Sequence, residues 1–185
     1  MNVQAQKLSY GITAGININM PAGDLTSSKA QVGPRLGLRM EMDLSKEQPS
    51  GLYLSSGLEW SQKNCTYWGV WDTDLNYFEV PVHVGYMTDR SRPCKFLVEA
   101  GPYFSLGVWG KGKSAHGESS THHVFGHGEM DRFDMGIGAK VGVQIGNHFQ
   151  VMTGYDHGFL NLSAKPYNDV PYYNRTITAS VAYMF

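Results

Sequence analysis

The sequence predicts an all-β fold: one domain, residues 1–185, closed into an antiparallel, eight-stranded, up-and-down transmembrane barrel. Three observations predict it. Apolar residues alternate with polar or tiny ones in stretch after stretch, and a period of two belongs to β-strands. The links between stretches alternate between long and short. Glycine and most of the charge share one parity of the alternation.

The stretches follow in order. The first sets Leu8, Tyr10, Ile12, Ala14, Ile16 and Ile18 against Lys7, Ser9, Gly11, Thr13, Gly15 and Asn17. The second, Val32 to Leu44, opposes Leu36, Leu38, Met40 and Met42 to Arg35, Gly37, Arg39, Glu41 and Asp43. Next, Leu52, Leu54, Leu58 and Trp60 oppose Tyr53, Ser55, Gly57 and Glu59. Phe78, Val80, Val82, Val84 and Tyr86 then oppose Tyr77, Glu79, Pro81, His83 and Gly85. In the fifth, Phe96, Val98, Ala100, Phe104, Leu106 and Val108 oppose Lys95, Glu99, Gly101, Ser105 and Gly107. The sixth is the most regular: Phe133, Met135, Ile137, Ala139, Val141, Val143 and Ile145 against Arg132, Asp134, Gly136, Gly138, Lys140, Gly142 and Gln144. Phe149, Val151 and Tyr155 mark the seventh, and Ile177, Ala179, Val181, Tyr183 and Phe185 the eighth. No stretch reads as a helix.

Among the links, "SKEQPS", "TDRSRPC" and "GNH" are short. Residues 20–32, 62–74, 110–129 and 161–173 read as long loops. Long and short links at alternate ends are the habit of an outer-membrane barrel. A soluble ligand-binding barrel of lipocalin type alternates too, with its apolar face inside. The glycines decide between them. A solvated surface has little use for so many, whereas a narrow lumen crowded by long side chains does. The apolar parity, nearly free of charge, then suits lipid.

On this reading Arg35, Arg39, Glu41, Glu59, Glu79, Glu99, Arg132, Asp134 and Lys140 form an ion network in the lumen. Tyr53, Tyr77 and Tyr103 share their parity, so a plugged lumen is expected rather than a pore. The formal net charge of -1 gives no general attraction to nucleic acid. Charged residues make up 17% of the chain, below the ~25% usual in soluble domains. No apolar run is long enough for a transmembrane helix. "MNVQAQKLS" lacks the apolar core of a signal peptide, which leaves either a cytoplasmic protein or a mature secreted chain behind a start methionine; the membrane-barrel reading takes the second, with the signal peptide removed.

Several motifs resemble one family. "NYFEVPVHVGYM" is similar to the aromatic-x-Glu-hydrophobic-Pro strand of PorT-like outer-membrane β-barrel domains. "GPYFSLGVWG", "FDMGIGAKVGVQIG", "YDHGFLNL" and "RTITASVAYMF" are similar to later strands of that family. The resemblance implies a small barrel in a Gram-negative outer membrane and no particular reaction. Its PorT branch implies a secretion-associated role. Tyr183 and the terminal Phe185 resemble the signal read by the barrel-assembly machinery. The expected partners are therefore outer-membrane lipid, that machinery, and a protein or glycan at the surface loops; the barrel is expected to be a monomer.

Other chemistry is less well supported by the sequence. "GIGAKVG" is a near miss to a dinucleotide fingerprint, which needs a turn and a helix start where alternation here continues. His116, His122, His123 and His127 could ligate a transition metal or contact haem, but their Gly- and Ser-rich surroundings imply no preformed geometry. Tyr67, Trp68 and Trp71 suit either a partner site or an interfacial girdle. Cys65 and Cys94 fall in links at opposite ends of one strand, too far apart to bridge. Asp156, His157 and Ser163 raise the alternative of a lipid A-modifying enzyme, yet Asp156 and His157 have opposite parity. A non-catalytic barrel without cofactor is expected.

Overall fold

The computed structural model describes residues 8–22, 30–45, 51–67, 71–88, 91–114, 122–125, 130–163 and 171–185. Its strands are β1 (Leu8–Asn19), β2 (Gln31–Asp43), β3 (Gly51–Tyr67), β4 (Trp71–Met87), β5 (Cys94–Ser114), β6 (His122–His123), β7 (Phe133–Ile145), β8 (Phe149–Gly158) and β9 (Arg175–Met184). Eight of them close a ring of antiparallel neighbours, β4-β3-β2-β1-β9-β8-β7-β5, and β4 pairs with β5 to complete it. The two-residue β6 adds to the upper part of β5 through Gly112↔His122 and Lys111↔His123. Closure of β1 on β9, from Gly11↔Met184 to Asn19↔Thr176, leaves the ring without a free edge.

The alternation resolves as two faces. Ile12, Leu38, Leu106, Ile137 and Val181 are exposed on the outside, as are most of the large apolar side chains of the strands. Inside lie Arg35, Arg39, Glu59, Glu79, Glu99, Lys140 and Asp156, all buried. This is the reverse of a soluble barrel and rules that alternative out. An outer surface so apolar and so nearly uncharged is stable only against lipid.

Short turns gather at one mouth. Leu44 N–H donates to Leu52 at 3.0 Å, Thr88 N–H to Phe96 at 3.0 Å, and Gly146 N–H to Pro93 at 2.7 Å. Gly146 has φ of 62°, a conformation that favours glycine and closes the β7–β8 turn. By the rule of short periplasmic turns, this is the inner mouth and the long links mark the outer one.

Two hairpins rise further than the alternation predicts. Residues 62–74 read as a loop in sequence, but β3 and β4 stay paired from Gln62↔Asn76 to Tyr67↔Trp71. Likewise β5 continues to Ser114. Cys65 and Cys94 are accordingly strand residues rather than link residues, still toward opposite ends of the barrel. The strands extend because the pattern inverts: Leu75 and Tyr77 are fully buried inside, while Asp72 is exposed outside. Where water replaces lipid outside, the apolar side chains turn inward. A bulge accompanies the change. Tyr77 pairs with Gly107 but Asn76 with Trp109, so Val108 is the extra residue of β5. The bulge flips the parity of β5 and puts Trp109 outside, edge-on to Phe78 with ring centroids 6.3 Å apart.

Candidate functional site

The interior of the barrel is the candidate site, and it has three layers. The middle layer is ionic. Arg35 from β2 reaches Glu59 of β3, Glu79 of β4 at 3.4 Å and Asp156 of β8 at 3.4 Å. Lys63 pairs with Glu79, and Lys140 approaches Glu59 at 3.7 Å. Nearer the inner mouth, Arg39 holds Glu41 at 2.8 Å and also pairs with Glu99. Glu99 accepts the Tyr53 hydroxyl at 2.8 Å, and His83 Nδ1 lies 3.7 Å from it. Gln150 donates to Glu41 at 2.8 Å. Six strands thus contribute charges to two adjoining sets, one around Arg35 and one around Arg39. In such a buried interior each ion needs its partner, because removing one strands the other.

The inner layer opens to the short-turn mouth. A cavity of about 400 Å³ there is lined by Glu41, Asp43, Tyr53, Lys95, Gln144 and His148, among others. Tyr53 and Met87 in its lining belong to a buried cluster with Leu97 and Met152. A Cβ at Gly85 would run into the Tyr53 ring, so this glycine makes room for the tyrosine. Lys95 turns away from the ionic layer, donating to the Gly146 carbonyl at 2.9 Å and to Asn147 at 2.8 Å.

The outer layer is apolar. Leu75, Tyr77, Val124, Phe125, Met130, Leu162 and Tyr172 form one buried cluster, with Tyr77 edge-on to Phe125 at 5.6 Å. Isolated bridges tie Met130 to Ser163 and Ala22 to Tyr173, so segments that leave different strands meet over the outer mouth.

Most of the residues that the sequence assigns to a lumenal network lie within the ionic layer. Two are placed otherwise. Asp134 is buried but makes no ion pair among the described residues; it accepts Asn174 Nδ2 at 2.8 Å and the Tyr103 hydroxyl at 3.4 Å. Arg132 is not in the lumen. It precedes β7, is exposed, and donates to the carbonyls of Gly107 and Val108, each at 3.1 Å, and of Phe125 at 3.4 Å. Parity extrapolated backwards from Phe133 fails at Arg132 because the strand has not yet begun there. Lys63 was absent from the expected network because its segment read as a loop; the run Glu59, Ser61, Lys63 was the available signal.

His116 and His127 lie outside the described residues, as does Trp68, and only the backbone pairing of His122 and His123 is described. No group of three or more metal-ligating side chains occurs among the described residues. Asp156, His157 and Ser163 are not brought together. Asp156 pairs with Arg35 inside, whereas His157 lies outside between the rings of Tyr155 and Phe159. Tyr183 sits outside between Phe149 and Phe185, and Phe185 is 73% exposed.

A family model described as "Outer membrane protein beta-barrel domain" matches residues 4–164. The chain belongs to this family of outer-membrane β-barrel domains. The barrel therefore resides in the outer membrane, with its apolar face in lipid. Solved structures that share its fold include two bacterial proteins. The attachment invasion locus protein Ail of Yersinia pestis is 13% identical, with 96% of this chain and 98% of that one covered at a TM-score of 0.51. Neisserial surface protein A is 14% identical, with 97% and 99% covered and a TM-score of 0.51. No curated protein sequence matches the chain.

Proposed function

We propose that this outer-membrane barrel is a non-catalytic, plugged anchor that displays its long outer links to a protein or glycan partner. The observation that carries the reading is the filled middle and outer part of the interior, beyond the cavity at the inner mouth. The ion network of Arg35, Arg39, Glu59, Glu79 and Glu99 lies between the Tyr53 cluster and the Leu75–Phe125 cluster. An eight-stranded ring leaves room for little more than its own side chains. The separation of Asp156 from His157 supports the absence of catalysis of the Ser-His-Asp kind, which needs hydrogen-bond contact. The likeness of Asn76–Met87 to PorT-like strands favours a secretion-associated partner within this reading. Exposed Tyr183 and Phe185 suit the role of assembly signal.

Planar-bilayer recording of the purified barrel tests the plug, and a steady, large, ohmic current would overturn it. Mass spectrometry of lipid A from cells with and without the protein tests the absence of catalysis. Identical spectra are expected, and a modified species that depends on the protein would overturn that part.

A further inference from the structure

The residue that departs furthest from its expected place points to a latch. Arg132 sits where the bulge at Val108 interrupts pairing between β4 and β5. Its guanidinium donates to Gly107 and Val108 of the rim and to Phe125 of the covering segment. It also lies over the Phe125 ring, 5.6 Å from the centroid. One side chain thus holds the rim and the cover together, through carbonyl contacts and a cation–π contact.

The seat beneath Phe125 is equally specific. A Cβ at Gly107 would stand 2.5 Å from the Phe125 ring, and one at Gly110 would stand 3.1 Å from it. Two glycines of β5 therefore form a flat recess that only a strand without side chains provides. Phe125 fills it and packs edge-on against Tyr77, directly above the ionic layer. Met130 extends the cover to Ser163.

We propose that Phe125 is a stopper for the outer mouth and that Arg132 is the latch that keeps it seated. The two form a closure separate from the ion network below. When the latch is released, the lumen opens from outside as far as the ionic layer, while the inner mouth is unchanged. This deepens the reading of a plugged barrel by dividing the plug into two parts that fail independently.

Thiol accessibility in the full chain in micelles tests it, with Cys65 and Cys94 replaced by serine. Ser105→Cys reports from the lumen beneath Phe125, and Ser55→Cys from the lumen nearer the inner mouth; both serines are buried and the replacements are nearly isosteric. The probe is a charged methanethiosulfonate, and heat-modifiable gel mobility confirms that each variant is folded. Arg132→Ala is expected to speed labelling at Ser105→Cys by about tenfold, the effect of losing charge-assisted bonds to carbonyls. Labelling at Ser55→Cys should stay constant. Phe125→Ala should act alike, and Arg132→Lys, which keeps the charge without the fork, should fall between. Unchanged labelling at Ser105→Cys in both alanine variants would overturn the latch. Parallel acceleration at Ser55→Cys would overturn it too, since that reports general loosening of the barrel. A porin-like current from the wild-type chain would instead defeat the underlying reading and leave the latch comparison separately measurable.

Discussion

The ionic lumen and the apolar outer cover share β4, whose inward side chains serve both, yet their chemistry is opposite. On β4, Glu79 and His83 point inward at the level of the lipid band, and one and two repeats of the pleat higher Tyr77 and Leu75 point inward as well. The outward partners change in the opposite sense, from Val80 and Phe78 to Asp72. What differs is the solvent outside. Hydrocarbon accepts apolar side chains and rejects charge, so the charges collect inside and pair. Once the strands emerge into water the ordinary hydrophobic effect returns and apolar groups go inside. The bulge at Val108 lies close to this transition and lets β5 adjust its facing.

The two regions should respond differently to substitution, and the largest effect is expected in the lumen. Glu79→Ala leaves both Arg35 and Lys63 short of a partner, and Arg39→Ala leaves Glu41 and Glu99 so. Loss of one member of a buried pair costs about 3–5 kcal/mol. Urea unfolding in lipid vesicles should show a destabilisation of that order for each, and a change near zero would break the contrast with the cover.

In the cover the penalty is that of a cavity. Leu75→Ala is expected to cost about 2–4 kcal/mol, because a fully buried leucine loses its packing and leaves a void. Leu75→Met, nearly equal in volume, should cost less than ~1.5 kcal/mol. Glu79→Gln keeps shape but not charge and should remain destabilising. If the lumen tolerated its isostere as well as the cover does, the regions would not differ in kind.

The smallest effect concerns His116, His122, His123 and His127. His122 and His123 are paired to β5, and no group of three or more metal-ligating side chains occurs among the described residues. Zn²⁺ titration by calorimetry should therefore show weak binding at pH 7.5 and weaker binding at pH 5.5, as imidazole must be deprotonated to ligate. Tight stoichiometric binding abolished by His122→Ala with His123→Ala would make that segment a site in its own right.

The contrast also explains what was legible in the sequence. Within the lipid band the rule is uniform, so the period of two revealed the strands and assigned Arg35, Arg39, Glu59, Glu79 and Glu99 to one face. Above the band the rule reverses. Tyr77 still keeps the inward parity of its strand, but Leu75 inside with Asp72 and Asp74 beside it does not fit an apolar-out template, and residues 62–74 therefore read as a loop. Lys63 was lost with it. Arg132 was misplaced for a different reason: parity carries no mark of where a strand begins. The cover assembled by Phe125, Met130, Leu162 and Tyr172 joins segments far apart in the chain, and no local pattern announces such contacts.

The inversion itself can be measured directly by spin labels on the outer face, comparing collision with oxygen against collision with a water-soluble nickel chelate. Labels at Val80, Ile137 and Val181 should be dominated by oxygen, as hydrocarbon requires, and labels at Asp72 and Lys111 by the chelate. A chelate-dominated signal at Ile137 and Val181, or an oxygen-dominated one at Asp72 and Lys111, would contradict a change of solvent along the same strands.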